Sequence, residues 1–123
     1  MPDFERLVAD YCRAWFDPDP AERRRLLGAV FEPDGVYTDP KTHVVGVDAL
    51  LRHIDGVIAA RDGFYLELTT RVDAHHDFIR FGWAQRGANG FRGADSIDIA
   101  RLSPAGKFSL IVGFFGPMTA LGG

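Results

Sequence analysis

The residues of this 123-residue chain best suited to acid–base chemistry begin with Asp39. It follows Tyr37 at strand spacing, and because side chains alternate along a strand, the two residues share a face. If that face borders an apolar cavity, loss of solvent raises the pKa of Asp39 and makes it a candidate general base. The alternative is that Asp39-Pro40 only ends a strand, with the carboxylate solvated or bonded to nearby backbone.

A second acid, Asp98, lies between Ile97 and Ile99 in a strand-like segment. Because side chains alternate along a strand, its carboxylate lies on the other face of the strand from the two isoleucines. Either the isoleucines face the helices and Asp98 faces solvent, or the isoleucines face a dimer partner and Asp98 points into a pocket. Asp95 is the competing acid, and three residues earlier it lies on the other face unless a bulge intervenes.

Tyr11 lies on the apolar side of a helical segment, one turn before Trp15. A tyrosine there is either a core residue whose hydroxyl finds a polar partner, or a hydrogen-bond donor to a developing oxyanion. Cys12 next to it is a small packing residue.

The histidines give little indication of a metal site. His75 and His76 are adjacent, and adjacent strand residues point to opposite faces, so the pair is poorly placed to share one ion. Alternation counted back from Trp83 puts His75 on the pocket side. The chain also has no phosphate loop, dinucleotide fingerprint or serine elbow. We therefore expect neither a metal nor an organic cofactor.

Periodicity predicts the elements that carry these residues. Apolar spacing and caps predict helices over 4–16, 20–30 and 48–60. We expect a turn at 32–35 and a loop at 41–46. The predicted strands cover 36–39, 64–74, 76–86, 91–102 and 107–115. Three helices followed by a four-stranded meander is an α+β pattern.

Composition sets the broad class. A chain with 46% hydrophobic and 25% charged residues suits one globular domain, which we place at 1–116 with a loose tail at 117–123. The net charge of −3 argues against a nucleic-acid or membrane-surface partner. The basic run Arg23-Arg24-Arg25 is interpreted as a solvated helix face. The single cysteine and the absence of a signal peptide or membrane span indicate a cytoplasmic protein.

The sheet also has an outer apolar surface. Phe78, Ile97 and Ile99 lie on it, interrupted by Arg80 and Arg101. Because wide uncovered apolar patches are rare on monomers, we expect a homodimer through this face.

Four sequence stretches together resemble the nuclear transport factor 2-like superfamily, and within it the ketosteroid isomerases and SnoaL-like proteins. They are Asp10-Tyr11 with Trp15; Val36-Tyr37-Thr38-Asp39-Pro40 with Gly46; Arg80-Phe81-Gly82-Trp83; and Asp98 followed by Gly106-Lys107 and Gly113-Phe114-Phe115-Gly116. The resemblance covers about residues 3 to 116. It implies a cone-shaped, curved antiparallel (mixed) sheet wrapped around three N-terminal helices and enclosing an apolar pocket.

The resemblance also implies roles. Tyr11, Asp39 and Asp98 match functional positions of the isomerases. The resemblance implies that Asp39 moves a proton at a carbon next to a carbonyl, and that Tyr11 and a neutral Asp98 stabilise the enolate oxygen. The loop after Pro40 is shorter here and contains Lys41 and His43, and a lysine beside the base could lower its pKa. The His75-His76 pair resembles the sequences of uncharacterised SnoaL-like proteins more than those of steroid isomerases.

Three hypotheses follow. The first is a SnoaL-like isomerase, cyclase or dehydratase acting on a small apolar carbonyl compound, with Asp39, Asp98 and Tyr11 as catalytic residues. The second is a small-molecule-binding or accessory domain without chemistry, and the third is a protein-interaction module. The residues expected to contact a ligand are Trp15, Tyr37, His43, Ile54, Phe64, His75, Phe81, Trp83, Ile111 and Phe115.

Overall fold

A computed structural model describes residues 3–61 and 63–123. Within them the chain forms three α-helices, one short 3-10 turn and a seven-stranded sheet. In chain order the elements are α1 Phe4–Ala14, α2 Pro20–Val30, β1 Phe31–Asp39, β2 Thr42–Val45, α3 Val47–Ala60, β3 Tyr65–Leu68, β4 Asp73–His75, β5 Phe78–Arg86, the 3-10 turn Ala88–Gly90, β6 Ser96–Leu102 and β7 Phe108–Phe114.

Side-chain caps begin the first two helices. The Asp3 carboxylate accepts the backbone N–H of Arg6 at 3.0 Å, and the Asp19 carboxylate accepts that of Ala21 at 3.0 Å. Pro20 occupies the first position of α2, where its missing N–H has no helical partner to lose. The α3 helix instead follows Gly46, whose φ of 95° is a backbone conformation that favours glycine.

The strands form one mixed, curved and unclosed sheet in the order β2-β1-β7-β6-β5-β3, with β4 also paired to β5. β1 and β7 run parallel and the other neighbours are antiparallel. The parallel pair joins the first strand of the chain to the last. The expected α+β cone around three N-terminal helices is therefore confirmed.

Two segments expected to be irregular are strands. The predicted turn at 32–35 belongs to β1, where the pairing with β7 shifts register between Phe31 and Val36. A proline is tolerated at such a shift because its missing N–H leaves no ladder bond unmade, and Pro33 lies there. The predicted loop at 41–46 contains β2, which folds back on β1.

Three predicted strands are shorter or broken. The strand predicted at 64–74 is divided because the Thr70 hydroxyl accepts the Gly82 backbone N–H at 2.8 Å, replacing a strand-to-strand bond. The strand predicted at 76–86 begins at Phe78, because His76 has a φ of 54° in the turn after β4. The strand predicted at 91–102 begins at Ser96, since the segment before it makes only an isolated bridge between Arg86 and Arg92.

The core lies between the helices and the inner face of the sheet. Tyr11 of α1 packs edge-on against Phe108 and Phe81, with ring centroids 5.5 and 6.4 Å apart. The inner face also carries Ile79 and Ile111, which are 2% and 0% exposed. Buried aromatic and aliphatic side chains of this kind supply most of the free energy of folding.

The basic run on α2 is not wholly solvated, so that interpretation was wrong for Arg23. Its guanidinium is buried, donates to the Asp17 carbonyl at 2.7 Å, and pairs with Asp55 of α3 at 2.9 Å. Arg24 and Arg25 are exposed, as expected. A buried guanidinium is tolerated because an acid and a carbonyl accept its hydrogen bonds, and these contacts tie α2 to α3.

The outer face of the sheet keeps exposed apolar side chains. Phe78 of β5 and Ile99 of β6 are 41% and 40% exposed, and Ile97 is half-buried. Arg80 lies directly opposite Ile99, and Arg101 lies opposite Phe78.

Candidate functional site

A cavity of about 350 Å³ lies between the helices and the inner face of the sheet. This volume suits a small ligand. The cavity is lined by Tyr11, Cys12, Trp15, Tyr37, Asp39, Lys41, Thr42, His53, Val57, Arg61, Phe64, Leu66, Phe81, Trp83, Gln85, Gly93, Ala94, Ser96, Asp98, Phe115 and Gly116. Its buried end, called the floor below, is formed by Tyr11, Trp15, Phe81 and Asp98. The exposed residues of the lining include Lys41, Arg61, Ala94 and Phe115, which are called the mouth below.

Asp98 points into this cavity. It lies opposite Phe81 in the β5–β6 register, and only 5% of its surface is exposed. Ile97 and Ile99 point the other way, toward the outer face. Of the two orientations left open by the sequence, the structure therefore has the one in which the acid is enclosed. Asp95, the competing acid, is exposed and pairs with Arg92 at 2.7 Å.

The environment of Asp98 brings its titration close to neutral pH. Burial, and after it the nearby charge of Asp39, raise the pKa of Asp98 to about 7. The indole N–H of Trp83 donates to one carboxylate oxygen at 2.9 Å and opposes the rise, because it stabilises the ionised form. A carboxyl with a pKa near the working pH can both take up and release a proton.

The two aspartates approach each other across a single glycine. Gly113 of β7 lies opposite Asp98, and its neighbour Val112 pairs with Thr38 on the other side, which brings Asp39 alongside. A Cβ atom at Gly113 would lie 2.8 Å from Asp98 Oδ1 and 3.4 Å from Asp39 Cβ. A larger residue at this position would press on the Asp98 carboxylate and contact the Asp39 side chain.

Asp39 is more fully hydrogen-bonded than Asp98. The Tyr37 hydroxyl donates to Oδ2 at 2.5 Å, and the backbone N–H of Lys41 donates to Oδ1 at 2.8 Å. Burial, and then this bond to Asp39, raise the pKa of Tyr37 far above its ordinary value. Asp39 therefore bonds the local backbone where the strand ends, and it also lines the cavity.

Two buried donors at the floor have no hydrogen-bond partner among the described residues: the Tyr11 hydroxyl and the Trp15 indole N–H. Burial raises the pKa of Tyr11 well above its ordinary value, and the charge of Asp98 adds to this. The Trp15 indole N–H is close enough to the Tyr11 oxygen to oppose the rise, but the two groups do not have the geometry of a hydrogen bond. Each buried donor left without an acceptor costs about 1–3 kcal/mol. A ligand oxygen that accepts from both groups removes this cost.

Six of the ten residues expected to contact a ligand line the cavity: Trp15, Tyr37, Phe64, Phe81, Trp83 and Phe115. The other four lie elsewhere. Ile54 and Ile111 are 0% exposed and belong to the packed core.

The two histidines among these four are exposed and lie outside the cavity wall. His43 lies opposite Thr38, which points away from the cavity. His75 lies opposite the outward-facing Phe78, and directly opposed residues share a face. The prediction that His75 faces the pocket was wrong, because the turn at His76 interrupts the alternation of side chains between β4 and β5.

Several other wall residues show only weak signals in the amino-acid sequence. His53 contacts Trp15 edge-on, with ring centroids 5.7 Å apart. Its signal in the sequence is its position three residues after Leu50, beside the apolar stripe of α3. Lys41 follows directly from the Asp39-Pro40 turn. Gln85 continues the inward alternation of Phe81 and Trp83 along β5, and this signal could have found it. Arg61 could not be assigned, because the direction in which the chain leaves α3 decides what its side chain contacts.

Neither the family models nor the curated proteins contain a match to this chain, but solved structures do. A SnoaL-like family protein from Agrobacterium tumefaciens, provisionally assigned as an isomerase, superposes with a TM-score of 0.86 at 26% identity, covering 92% of this chain and 97% of that one. A nuclear transport factor 2-like protein of unknown function from Exiguobacterium superposes with a TM-score of 0.73 at 19% identity, covering 91% and 99%. A protein from Sinorhizobium meliloti, provisionally assigned as a polyketide cyclase, gives 0.69 at 18% identity, covering 92% and 94%.

These structures define the class of the protein as a nuclear transport factor 2-like α+β fold. Within that class its neighbours are SnoaL-like and ketosteroid isomerase-like proteins, so the resemblance inferred from the sequence is confirmed.

Two further observations concern the described ranges 3–61 and 63–123. No helix there combines the length and apolar character needed to cross a membrane. No three histidine, cysteine, aspartate or glutamate side chains in these ranges come together in a way that could hold a metal ion.

Proposed function

We propose that this protein is a SnoaL-like enzyme that uses acid–base chemistry to isomerise, cyclise or dehydrate a small apolar carbonyl compound. One observation carries the proposal. A buried carboxyl with a pKa of about 7, that of Asp98, shares the floor of one cavity with two buried donors that have no described partner. A proton acceptor beside a site for a developing oxyanion is what proton abstraction next to a carbonyl needs.

In this mechanism Asp98 transfers the proton. Ionised Asp98 takes a proton from the carbon next to the substrate carbonyl, and the C–H electron pair moves into a C=C bond as negative charge develops on the carbonyl oxygen. The Tyr11 hydroxyl and the Trp15 N–H donate to that oxygen. Protonated Asp98 then returns the proton to another carbon of the same system, or to a leaving group in a dehydration.

This assignment changes the roles that the isomerase resemblance implies for the two acids. The Asp39 oxygens already accept from the Tyr37 hydroxyl and the Lys41 N–H, whereas Asp98 accepts only from Trp83 among the described groups. Lone pairs committed to donors are less available for a proton, so the geometry favours Asp98 as the base. Asp39 then acts through its charge, which raises the pKa of Asp98.

Hydrogen–deuterium exchange at carbon tests the proposal. Small neutral ketones, such as acetophenone and α-tetralone, are incubated in D₂O, and deuterium next to the carbonyl is followed by proton NMR. We expect exchange above the buffer rate that Asp98→Asn lowers by about 10²- to 10⁴-fold and Tyr11→Phe by about 10²- to 10³-fold. Asp95→Asn, which changes the exposed acid three residues earlier, is the matched control.

Two results would argue against this function. Exchange at the wild-type rate in Asp98→Asn would exclude Asp98 as the base. Tight binding of the ketones without any exchange would favour the alternative of a domain that only binds small molecules.

We also propose that the protein is a cytoplasmic homodimer formed through the outer face of the sheet. The exposed Phe78 and Ile99 and the half-buried Ile97 support the dimer, because their burial against a second copy removes apolar surface from water. The single cysteine supports a reducing compartment. Sedimentation analysis of Ile99→Asp should give a monomer, whereas Phe91→Asp, which changes an exposed phenylalanine outside the strands, should leave the dimer intact.

A further inference from the structure

Charge is segregated along the cavity. Both acids in its wall, Asp39 and Asp98, are less exposed than the two cations, Lys41 and Arg61, which lie at the mouth. A molecule that fills this cavity therefore meets the two acids where the wall is more buried and the two cations where the wall is exposed.

Arg61 differs from most arginines of this chain. Ten of the twelve arginines form ion pairs with acids of the described ranges, and Arg52 and Arg61 are the two that do not. Arg52 is exposed on α3 and does not line the cavity, whereas Arg61 follows the last turn of the same helix and does. This difference supplies a matched pair of residues for a test.

The guanidinium of Arg61 is held against the cavity wall. It lies over the ring of Phe64, 5.7 Å from the centroid, and Phe64 also lines the cavity. Stacking on a ring occupies the flat face of a guanidinium and leaves the N–H groups at its edge free to donate. Two of those N–H groups match the two oxygens of a carboxylate.

Lys41 supplies the second positive charge. Its backbone N–H is fixed by the Asp39 carboxylate at 2.8 Å, which anchors the residue at the end of β1 while its side chain extends at the mouth. An ammonium group gives charge without a fixed direction, so it can approach an anion already paired with Arg61.

We propose that the substrate is an amphipathic keto acid, with an apolar body, a carbonyl group at the floor and a carboxylate at the mouth that pairs with Arg61 and Lys41. The position of the carbonyl rests on the proposed function. The position of the carboxylate does not, because the acids Asp39 and Asp98 repel an anion from the inner end in either case.

A pair of nearly isosteric probes tests the charge preference. Binding of para-acetylbenzoate and of its neutral amide, para-acetylbenzamide, is measured by calorimetry at low salt. We expect the wild-type protein to bind the carboxylate about 10-fold or more tightly than the amide, the range expected for charge-assisted hydrogen bonds. Added salt should reduce the preference, because exposed charges are screened.

Variants of the residues at the mouth test whether they cause the preference for the carboxylate over the amide. Arg61→Gln should bring the two affinities to within about 3-fold, and Arg61→Glu should reverse the order, while Arg52→Gln should keep the wild-type preference. Lys41→Gln should weaken the preference partly. Equal affinities in the wild type, no binding of the carboxylate, or a preference unchanged in Arg61→Gln would each overturn the proposal.

This test separates the two proposals. Asp98→Asn should retain the preference for the carboxylate, since that variant changes the floor and not the mouth. A carboxylate preference without any deuterium exchange would leave the anion site standing and remove the catalytic function. Exchange on neutral ketones without a carboxylate preference would support the catalytic function and exclude the anion site.

Discussion

Replacing Asp98 by asparagine should change how the stability of the protein depends on pH. In the unfolded chain this carboxyl titrates near its ordinary pKa of 3.8, and in the folded protein burial raises the pKa to about 7. Between these values the folded protein holds one more proton at this group than the unfolded chain does. The free energy of unfolding therefore falls as pH rises through this window.

The size of the effect follows from the two pKa values. Each unit of difference corresponds to about 1.4 kcal/mol, so Asp98 contributes a decrease of about 4 kcal/mol between pH 4 and pH 8. The stabilisation is fully present below the unfolded pKa and is lost as pH rises through the folded pKa. This is a large fraction of the stability of a small domain, for which about 5–15 kcal/mol is usual.

Urea unfolding followed by tryptophan fluorescence measures this contribution. Wild type and Asp98→Asn are unfolded at half-unit steps from pH 4.5 to pH 8.5, and the difference between their free energies of unfolding is plotted against pH. The other titrating groups are common to both proteins and cancel. We expect the wild type to lose stability relative to the variant by about 1.4 kcal/mol per pH unit below pH 7, and the difference to level off above it.

A flat difference across this range would refute the reasoning. It would mean that Asp98 has the same pKa in the folded and unfolded states, and the proposal of a base poised near neutral pH would fail with it. Asp95→Asn serves as the control, because the same change at that exposed site should leave the pH dependence of the wild type in place.

Three further changes test other parts of the structure. Trp83→Phe removes the N–H that stabilises ionised Asp98, so the pKa of Asp98, followed by carboxyl carbon NMR, should rise by about one unit. Gly113→Ala places a methyl group between the two acids and should lower the deuterium exchange rate about 10-fold or more, whereas Gly28→Ala, which meets no atom within 4 Å, should not change it. Asp55→Asn leaves the buried guanidinium of Arg23 with a weaker partner and should cost about 1–2 kcal/mol in urea unfolding, against about 0.5 kcal/mol or less for Asp48→Asn in the exposed pair with Arg24.

The helices and the main strands could be predicted because local patterns determine them. The caps at Asp3 and Asp19 and the apolar spacing of α1 indicate the helices without any knowledge of the fold. The strand breaks could not be predicted in this way. The interruption after β3 depends on a hydroxyl of Thr70 reaching the backbone of Gly82, twelve residues away.

The residues of the site can be separated in the same way, into those that a local pattern indicates and those that depend on the tertiary structure. Tyr11, Asp39 and Asp98 stand out because polar groups in apolar patterns are unusual, and all three line the cavity. The orientation of Asp98 was undecided, because alternation fixes which residues share a face but not which face is enclosed. At the mouth, Phe115 was expected to contact a ligand and Lys41 to lie beside Asp39, but Arg61 could not be predicted, since it meets the cavity only through the direction in which the chain leaves α3.

The parallel pairing of β1 with β7 has a consequence for how the chain matures. Asp39 and Asp98 are neighbours only because the last strand inserts between β1 and β6. Contacts this distant in sequence require a large loop to close and tend to form slowly. The deuterium exchange expected from the proposed function should therefore return late during refolding, after the helices and the β5–β6 hairpin have formed, and its return would report that the whole sheet has assembled.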